Sequence, residues 1–176
     1  TGTGKELLAQ AVHKISGRKG DFIAVNVAGL DDQMFADALF GHVKGAFSGA
    51  DQRREGLLGQ AAAGTILLDE IGDLHEVSQI KLLRLLQEGE FYPLGSDTLK
   101  RTDARIVAAT NRDLYGMLKD GSFRSDLYYR LFAHQIKIPP LRERNYDIPL
   151  LLEYFLQEAA QALGKKKPTP PPEPVS

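Results

Sequence analysis

Two carboxylates stand side by side at Asp69 and Glu70, directly after the run Thr65-Ile66-Leu67-Leu68. Such a run reads as a strand buried on both faces, as in the middle of a parallel sheet. The carboxyl end of a strand of this kind is where open α/β sheets bind their ligands. A strand that simply stops at a solvated acidic turn is the bland alternative. The chain's opening residues decide between them, because Gly2, Thr3, Gly4 and Lys5 fit the last part of a phosphate-binding loop, Gly-x-x-x-x-Gly-Lys. Glycines let backbone N–H groups crowd around phosphate oxygens, the helix that starts there presents its positive dipole end, and Lys5 reaches toward the β- and γ-phosphates. A cradle for phosphates and a strand ending in acids for Mg2+ and water make a nucleoside triphosphatase. Adjacent strand positions point to opposite faces unless the strand is ending, so divided roles are expected: Asp69 for the metal, Glu70 to orient or polarise the attacking water. Glu6 departs from the general loop pattern, in which a Ser or Thr hydroxyl follows the lysine.

Asn111 ends the run Arg105-Ile-Val-Ala-Ala-Thr-Asn111, as a polar sensor of the γ-phosphate would. Asn26 is the one polar residue of Phe22-Ile-Ala-Val-Asn-Val27, where capping a neighbouring loop is its simplest role. Arg124 and Arg130 are six positions apart, about 600° round a helix at about 100° per residue, so they face different directions. An ordinary surface role is open to each of them. Paired acids, a strand-end Asn and then two arginines, in that order, form a more specific combination than any one of these residues.

The elements that must position these groups alternate between strand and helix, which argues for a parallel α/β sheet with right-handed crossovers. Helix is expected from Lys5 to about Ile15, with Leu7, Leu8, Ala11, Val12 and Ile15 on one face, then strand over Phe22–Val27. Asp31 and Asp32 cap a helix running to about Phe40. Gly41-His-Val-Lys-Gly-Ala-Phe-Ser-Gly-Ala50 follows, either a mobile tip that shows Phe47 or a tight turn with Phe47 tucked back. A short helix is expected over 57–62. An amphipathic helix is expected over 76–89, with Val77, Ile80, Leu82, Leu83, Leu85 and Leu86 inward and Gly89 as its stop. A hairpin over 90–101, strand 105–111, helices 113–119 and 123–131, an edge strand over His134–Ile138 and a last helix over 148–163 complete the reading.

At 176 residues with 43% hydrophobic content the chain has ample core for one domain, and a net charge of −1 does not announce a nucleic-acid binder. The absence of cysteine excludes disulfides, thiolate metal sites and cysteine nucleophiles. His13, His42, His75 and His134 are scattered without metal-ligand spacing and read as structural. No apolar run approaches the roughly 20 residues of a membrane span, so a soluble, cytoplasmic protein is expected. The chain opens inside a motif and closes on a proline-rich stretch, Lys165-Lys-Lys-Pro-Thr-Pro-Pro-Pro-Glu-Pro174, so it is expected to be a piece of a longer protein.

Together these motifs resemble the AAA+ ATPase domain of bacterial sigma-54-dependent transcription activators, the enhancer-binding proteins. The most specific mark is Gly45-Ala46-Phe47-Ser48-Gly49-Ala50, similar to that family's Gly-Ala-Phe-Thr-Gly-Ala loop with Ser for Thr. Thr1-Gly-Thr-Gly-Lys-Glu6 is similar to the family's own phosphate loop, which carries Glu after Lys. Leu68-Asp-Glu-Ile-Gly-Asp73, Ala109-Thr-Asn-Arg112, Phe123-Arg-Ser-Asp-Leu127 and Pro139-Pro-Leu-Arg-Glu-Arg144 match in order and spacing. The resemblance implies a three-layer P-loop core over residues 1–163 lacking its first strand. It also implies two loop insertions, and a proline-rich tail over 164–176 leading to an absent helical lid. It further implies ATP and Mg2+ as ligands, Asn26 as a switch that engages Glu70, Asn111 as sensor, and Arg124 and Arg130 offered to the ATP of the next subunit. The partners implied are sigma-54, bound through the Phe47 loop, further copies of the chain in a ring (hexamer or heptamer), and DNA only through a domain absent here. A signal-receiving domain of a two-component system would lie ahead of Thr1. Another AAA+ motor, and a nucleotide-responsive interaction module that no longer hydrolyses, are the competing readings.

Overall fold

The computed structural model describes residues 4–164, so Gly2 and Thr3 lie outside the described residues, as does nearly all of the proline-rich tail. The chain divides into two units, residues 1–136 and 137–176.

In the first unit a helix α1 (Lys5–Ile15) leads to β1 (Phe22–Asn26), and α2 (Asp32–Phe40) to two short strands, β2 (Gly41–His42) and β3 (Arg54–Glu55). A one-turn helix α3 (Leu57–Gln60) precedes β4 (Thr65–Asp69), and α4 (Glu76–Glu88) precedes the short strands β5 (Glu90–Phe91) and β6 (Lys100–Arg101). The unit closes with β7 (Arg105–Ala109), α5 (Leu114–Lys119) and α6 (Ser125–Leu131). The main sheet is parallel in the order β1-β4-β7, with Asn26, Asp69 and Ala109 in line at its carboxyl edge. The central strand is the most apolar, and Thr65 to Leu68 are all buried. Alternation along it builds the layers. Ile66 and Leu68 join the core formed with Phe35 and Leu39 of α2, Leu82 and Leu85 of α4 and Leu127 of α6. Thr65, on the other face, meets α1 through its hydroxyl, 2.9 Å from His13 Nδ1.

The expected elements appear in order, with the short pair β2–β3 added where no strand was expected, and three expectations fail. His134–Ile138 carries no strand: its apolar alternation is present, but a strand needs a partner for its backbone groups, and the described core strands pair with one another. Along α4 the inward face is turned, so that Val77 is exposed while Ser78 and Gln79 are buried. Both buried side chains are hydrogen-bonded, which is how polar groups are accommodated inside. Ile15, expected on the inner face of α1, is exposed.

α2 is capped at its start by Asp31, whose carboxylate accepts from the Met34 N–H at 2.7 Å. Asp32 beside it accepts from both the N–H and the hydroxyl of Ser78, at 3.0 and 2.5 Å, and so fastens the base of α2 to the first turn of α4.

The second unit holds two single-turn helices, Leu141–Glu143 and Asn145–Asp147, followed by α7 (Ile148–Ala162). Proline in the first turn of α7 suits a position whose N–H has no helical partner. Arg144 bonds the Pro139 carbonyl and the Asp147 carboxylate at 3.1 and 3.2 Å, closing the turn ahead of that helix.

Candidate functional site

At the carboxyl edge of the sheet the backbone turns sharply. Glu70 adopts a left-handed conformation, φ 62° and ψ 42°, uncommon for a residue with a side chain. The turn cancels the alternation of the strand, so the two carboxylates converge instead of parting. Both meet the ammonium of Lys5, with Nζ 2.8 Å from Asp69 and 2.7 Å from Glu70. Lys5 opens α1, whose preceding residue, Gly4, is itself left-handed at φ 84° with no side chain capping the helix start. Burial works to lower the pKa of Lys5, but the hydrogen bonds and charges of Asp69 and Glu70 outweigh it and hold the ammonium above its ordinary value. Lys5 and Glu70 are largely shielded from solvent, so these are the strong, charge-assisted kind of hydrogen bond. The second oxygen of Glu70 accepts from the Asn111 N–H at 3.1 Å, which ties the neighbouring strand end to the same carboxylate. Asp69 steadies the turn by accepting the Glu70 N–H at 3.0 Å.

The other expected site residues lie around this knot. Asn26 is level with Asp69 in the sheet register, and its side-chain oxygen accepts the Ala28 N–H at 2.9 Å, a local cap rather than a contact with Glu70. The side chains of Glu6 and Asn111 are exposed. Arg124 and Arg130 dock at opposite ends of α4. Arg124 forms a two-pronged pair with Asp126, at 2.8 and 3.1 Å, and reaches Glu76 at 3.5 Å. The hydrogen bonds between them, and then their opposite charges, move Arg124 upward and Asp126 downward from their ordinary pKa values. Arg130 donates twice to the Leu86 carbonyl, at 2.8 and 3.2 Å.

The glycine-rich segment leaves α2 through Gly41, at φ 74°, where an added Cβ would lie 2.3 Å from the Arg54 carbonyl oxygen. Gly45 to Ala50 closes on itself, with the Gly45 N–H 2.8 Å from the Ala50 carbonyl. Lys44, Gly45, Ser48 and Gly49 are exposed, whereas Phe47 is half-buried with its ring edge-on to His42, centroids 5.0 Å apart. Of the two conformations open to Phe47, the structure holds the folded-back one. His42 supports it from below, bonded through Nδ1 to Asp37 at 2.5 Å and through Nε2 to the Gln52 carbonyl at 2.9 Å. Arg54 joins Asp37 at 2.6 Å.

The segment between β5 and β6 lies against this loop. Leu94 exchanges backbone bonds with Gly41 and Val43, at 2.9 and 3.1 Å, and Gly95 packs on Ala46. The sequence alone marks His42 only as structural and does not single out Leu94 or Gln79. Gln79 alone left a signal there, a polar residue on the apolar stripe three and four positions before Leu82 and Leu83.

Among the described residues no helix is long and apolar enough to cross a membrane. Residues 1–137 match the Sigma-54 interaction domain family. The chain is 54% identical over 159 residues to the regulatory protein AtoC of Escherichia coli, covering 90% of this chain and 34% of that protein. It is 50% identical over 168 residues to the DNA-binding transcriptional regulator NtrC of Azospirillum brasilense, covering 94% and 35%. Among solved structures, NtrX of Brucella abortus in complex with ATP superposes with a TM-score of 0.82 at 35% identity, covering 98% of this chain and 37% of that one. Its complex with ADP gives 0.83 at 34% identity, covering 98% and 38%. The chain therefore spans about a third of the length of these relatives. The parallel sheet with acids at its carboxyl edge is an AAA+ P-loop core, and the chain belongs to the Sigma-54 interaction domain family.

Proposed function

We propose that this chain is the ATP-hydrolysing domain of a ring-forming activator that remodels the closed complex of sigma-54 RNA polymerase. The observation that carries the reading is the meeting of Lys5, Asp69, Glu70 and the Asn111 backbone at one sheet edge, in the same unit as the Phe47 loop. The ATP and ADP complexes of NtrX support a nucleotide for such an edge.

Phosphates at the start of α1 would draw the Lys5 ammonium from the two acids, as they offer more negative charge and the helix N-terminus stabilises them there. Glu70, relieved of one cation, would then orient the attacking water and engage Asn26. The exposed amide of Asn111 would read the γ-phosphate. Asp69 suits Mg2+: its carboxylate is a hard oxygen ligand whose charge would be left unbalanced once Lys5 turned to the phosphates. Among the described residues no cluster of three or more metal-binding side chains exists. Waters and phosphate oxygens would thus complete the shell, the environment Mg2+ favours. The ion, when bound, neutralises charge on the β- and γ-phosphate oxygens.

Arg124 and Arg130 would act on the ATP of the adjoining copy, where arginines of this kind raise rates by roughly 10³–10⁵. A ring, hexamer or heptamer, would give every copy such a neighbour. The change at Glu70 would pass through Asn26 to the Phe47 loop, which would lift to grip sigma-54. DNA would be bound by a domain outside this chain.

Capture of purified sigma-54 by the full-length protein, held with ADP–aluminium fluoride, tests the proposal. Nucleotide-dependent capture that Phe47→Ala abolishes, with ATP turnover kept, is the expected result. Turnover without capture would make the chain a different AAA+ motor, and collapse of turnover in Phe47→Ala would make Phe47 a core residue.

A further inference from the structure

Gln79 is buried to 1% exposure, and its carboxamide has no spare hydrogen-bonding group. Nε2 donates to the Leu74 carbonyl at 2.9 Å and the Ser122 carbonyl at 3.0 Å, while Oε1 accepts the Arg124 N–H at 2.9 Å. The partners fix which way the amide points, since two are acceptors and one is a donor. Leu74 ends the turn that follows Asp69 and Glu70, and Ser122 and Arg124 bracket the entry to α6. One side chain thus joins the exit from the acidic strand end to the backbone of Arg124. The Arg124 guanidinium is about a third exposed and held from outside by Asp126 and Glu76. Its backbone is anchored from inside by Gln79.

We infer that Gln79 is a positioning residue for trans-acting Arg124: it sets the height of that arginine against the sheet edge, so that the arginine presented to a neighbour follows the state of the subunit's own Asp69–Glu70 turn. Apolar packing alone would hold α4 against α6, because Leu82 and Leu127 already lie in the shared core. A carboxamide adds direction. It ties three backbone groups to one rigid amide, so movement of Leu74 is passed to Arg124 instead of being absorbed by sliding side chains. The inference rests on the proposed role of Arg124 in the next subunit's hydrolysis.

Mixed rings of the full-length protein separate the possibilities. Gln79→Met keeps the volume and removes all three bonds; Gln79→Asn keeps the carboxamide but withdraws it by one methylene. Each variant alone should bind nucleotide within about threefold of the parent, yet lose turnover, by up to the order of a hundredfold for displaced catalytic geometry. Gln79→Asn, the milder change, carries the test should Gln79→Met fail to bind nucleotide.

Mixing with hydrolysis-dead Glu70→Gln subunits should restore turnover. Gln79-variant sites then receive Arg124 from a neighbour whose Gln79 is intact. Unchanged turnover in both Gln79 variants would overturn the inference, as would a loss that mixing does not restore while Arg124→Ala mixed with Glu70→Gln is restored. Failure of that Arg124→Ala mixture would instead reject the trans role of Arg124, and with it this inference.

Discussion

The sheet edge and the Phe47 loop are built on opposite plans. At the edge, Lys5, Asp69, Glu70 and Asn111 form one closed knot of charge-assisted bonds at the end of a strand buried from Thr65 to Leu68. The loop rests on two-residue strands and glycines, and a single histidine supports its aromatic tip. The difference is one of preorganisation. Groups that must meet a developing charge are held in place beforehand, where fixed dipoles act most strongly. A segment that must change position needs few bonds to break, and such segments come from the least stable part of a fold.

Glu70→Gln is the strongest way to break the comparison. It should lower phosphate release by about 10²–10⁴, the usual worth of a positioned acid–base group, while nucleotide titration shows binding retained. Loss of binding as well would mean that the knot holds the fold rather than serving the chemistry. Gly41→Ala comes next, since its backbone conformation, φ 74° and ψ −174°, is essentially reserved for glycine and the added Cβ meets the Arg54 carbonyl. A loss of roughly 1–3 kcal/mol is expected from the backbone alone, read by chemical denaturation.

His42→Ala should free the loop without touching the edge. Amide exchange over 43–53 should rise roughly tenfold or more, as local opening becomes easier, with ATP turnover changed by less than about threefold. Equal change in both would show the two regions to be a single unit. Ser48→Thr is the gentlest probe. One added methyl, worth about 0.8 kcal/mol if buried on binding, should preserve or strengthen sigma-54 capture, and a clear loss would remove Ser48 from the contact.

Much of this division was legible in the sequence. The apolar run ending in Asp69-Glu70 and the strand ending at Asn111 announced a parallel sheet with polar groups at one edge, because burial on both faces leaves an unmistakable pattern. The convergence of the two acids was not legible, as it depends on the left-handed turn at Glu70. His134–Ile138 misled because alternation records which side chains could be buried, not whether a neighbouring strand is present to bond with. Val77 misled for a related reason. A helical stripe can be turned by one position when a polar residue finds buried partners, and Gln79 finds three. The bonds of Leu94 to Gly41 and Val43, at the base of the Phe47 loop, join segments far apart in the chain, and no local periodicity reports such a contact.

The bond between Asp32 and Ser78 has a mechanical consequence. α2 has nine residues, so at about 1.5 Å of rise each it is a rod roughly 13 Å long. Its near end is clamped to α4 by the Asp32 carboxylate, and its far end runs straight into Gly41. A rod clamped at one end amplifies: by the same dimensions a tilt of about 5° at the clamp carries the free end about 1 Å. That is enough to take a hydrogen bond beyond its working range. Of the two contacts of His42, the one to Asp37 rides with α2, whereas the bond to the Gln52 carbonyl crosses to the far side of the loop and is the one that such a tilt stretches.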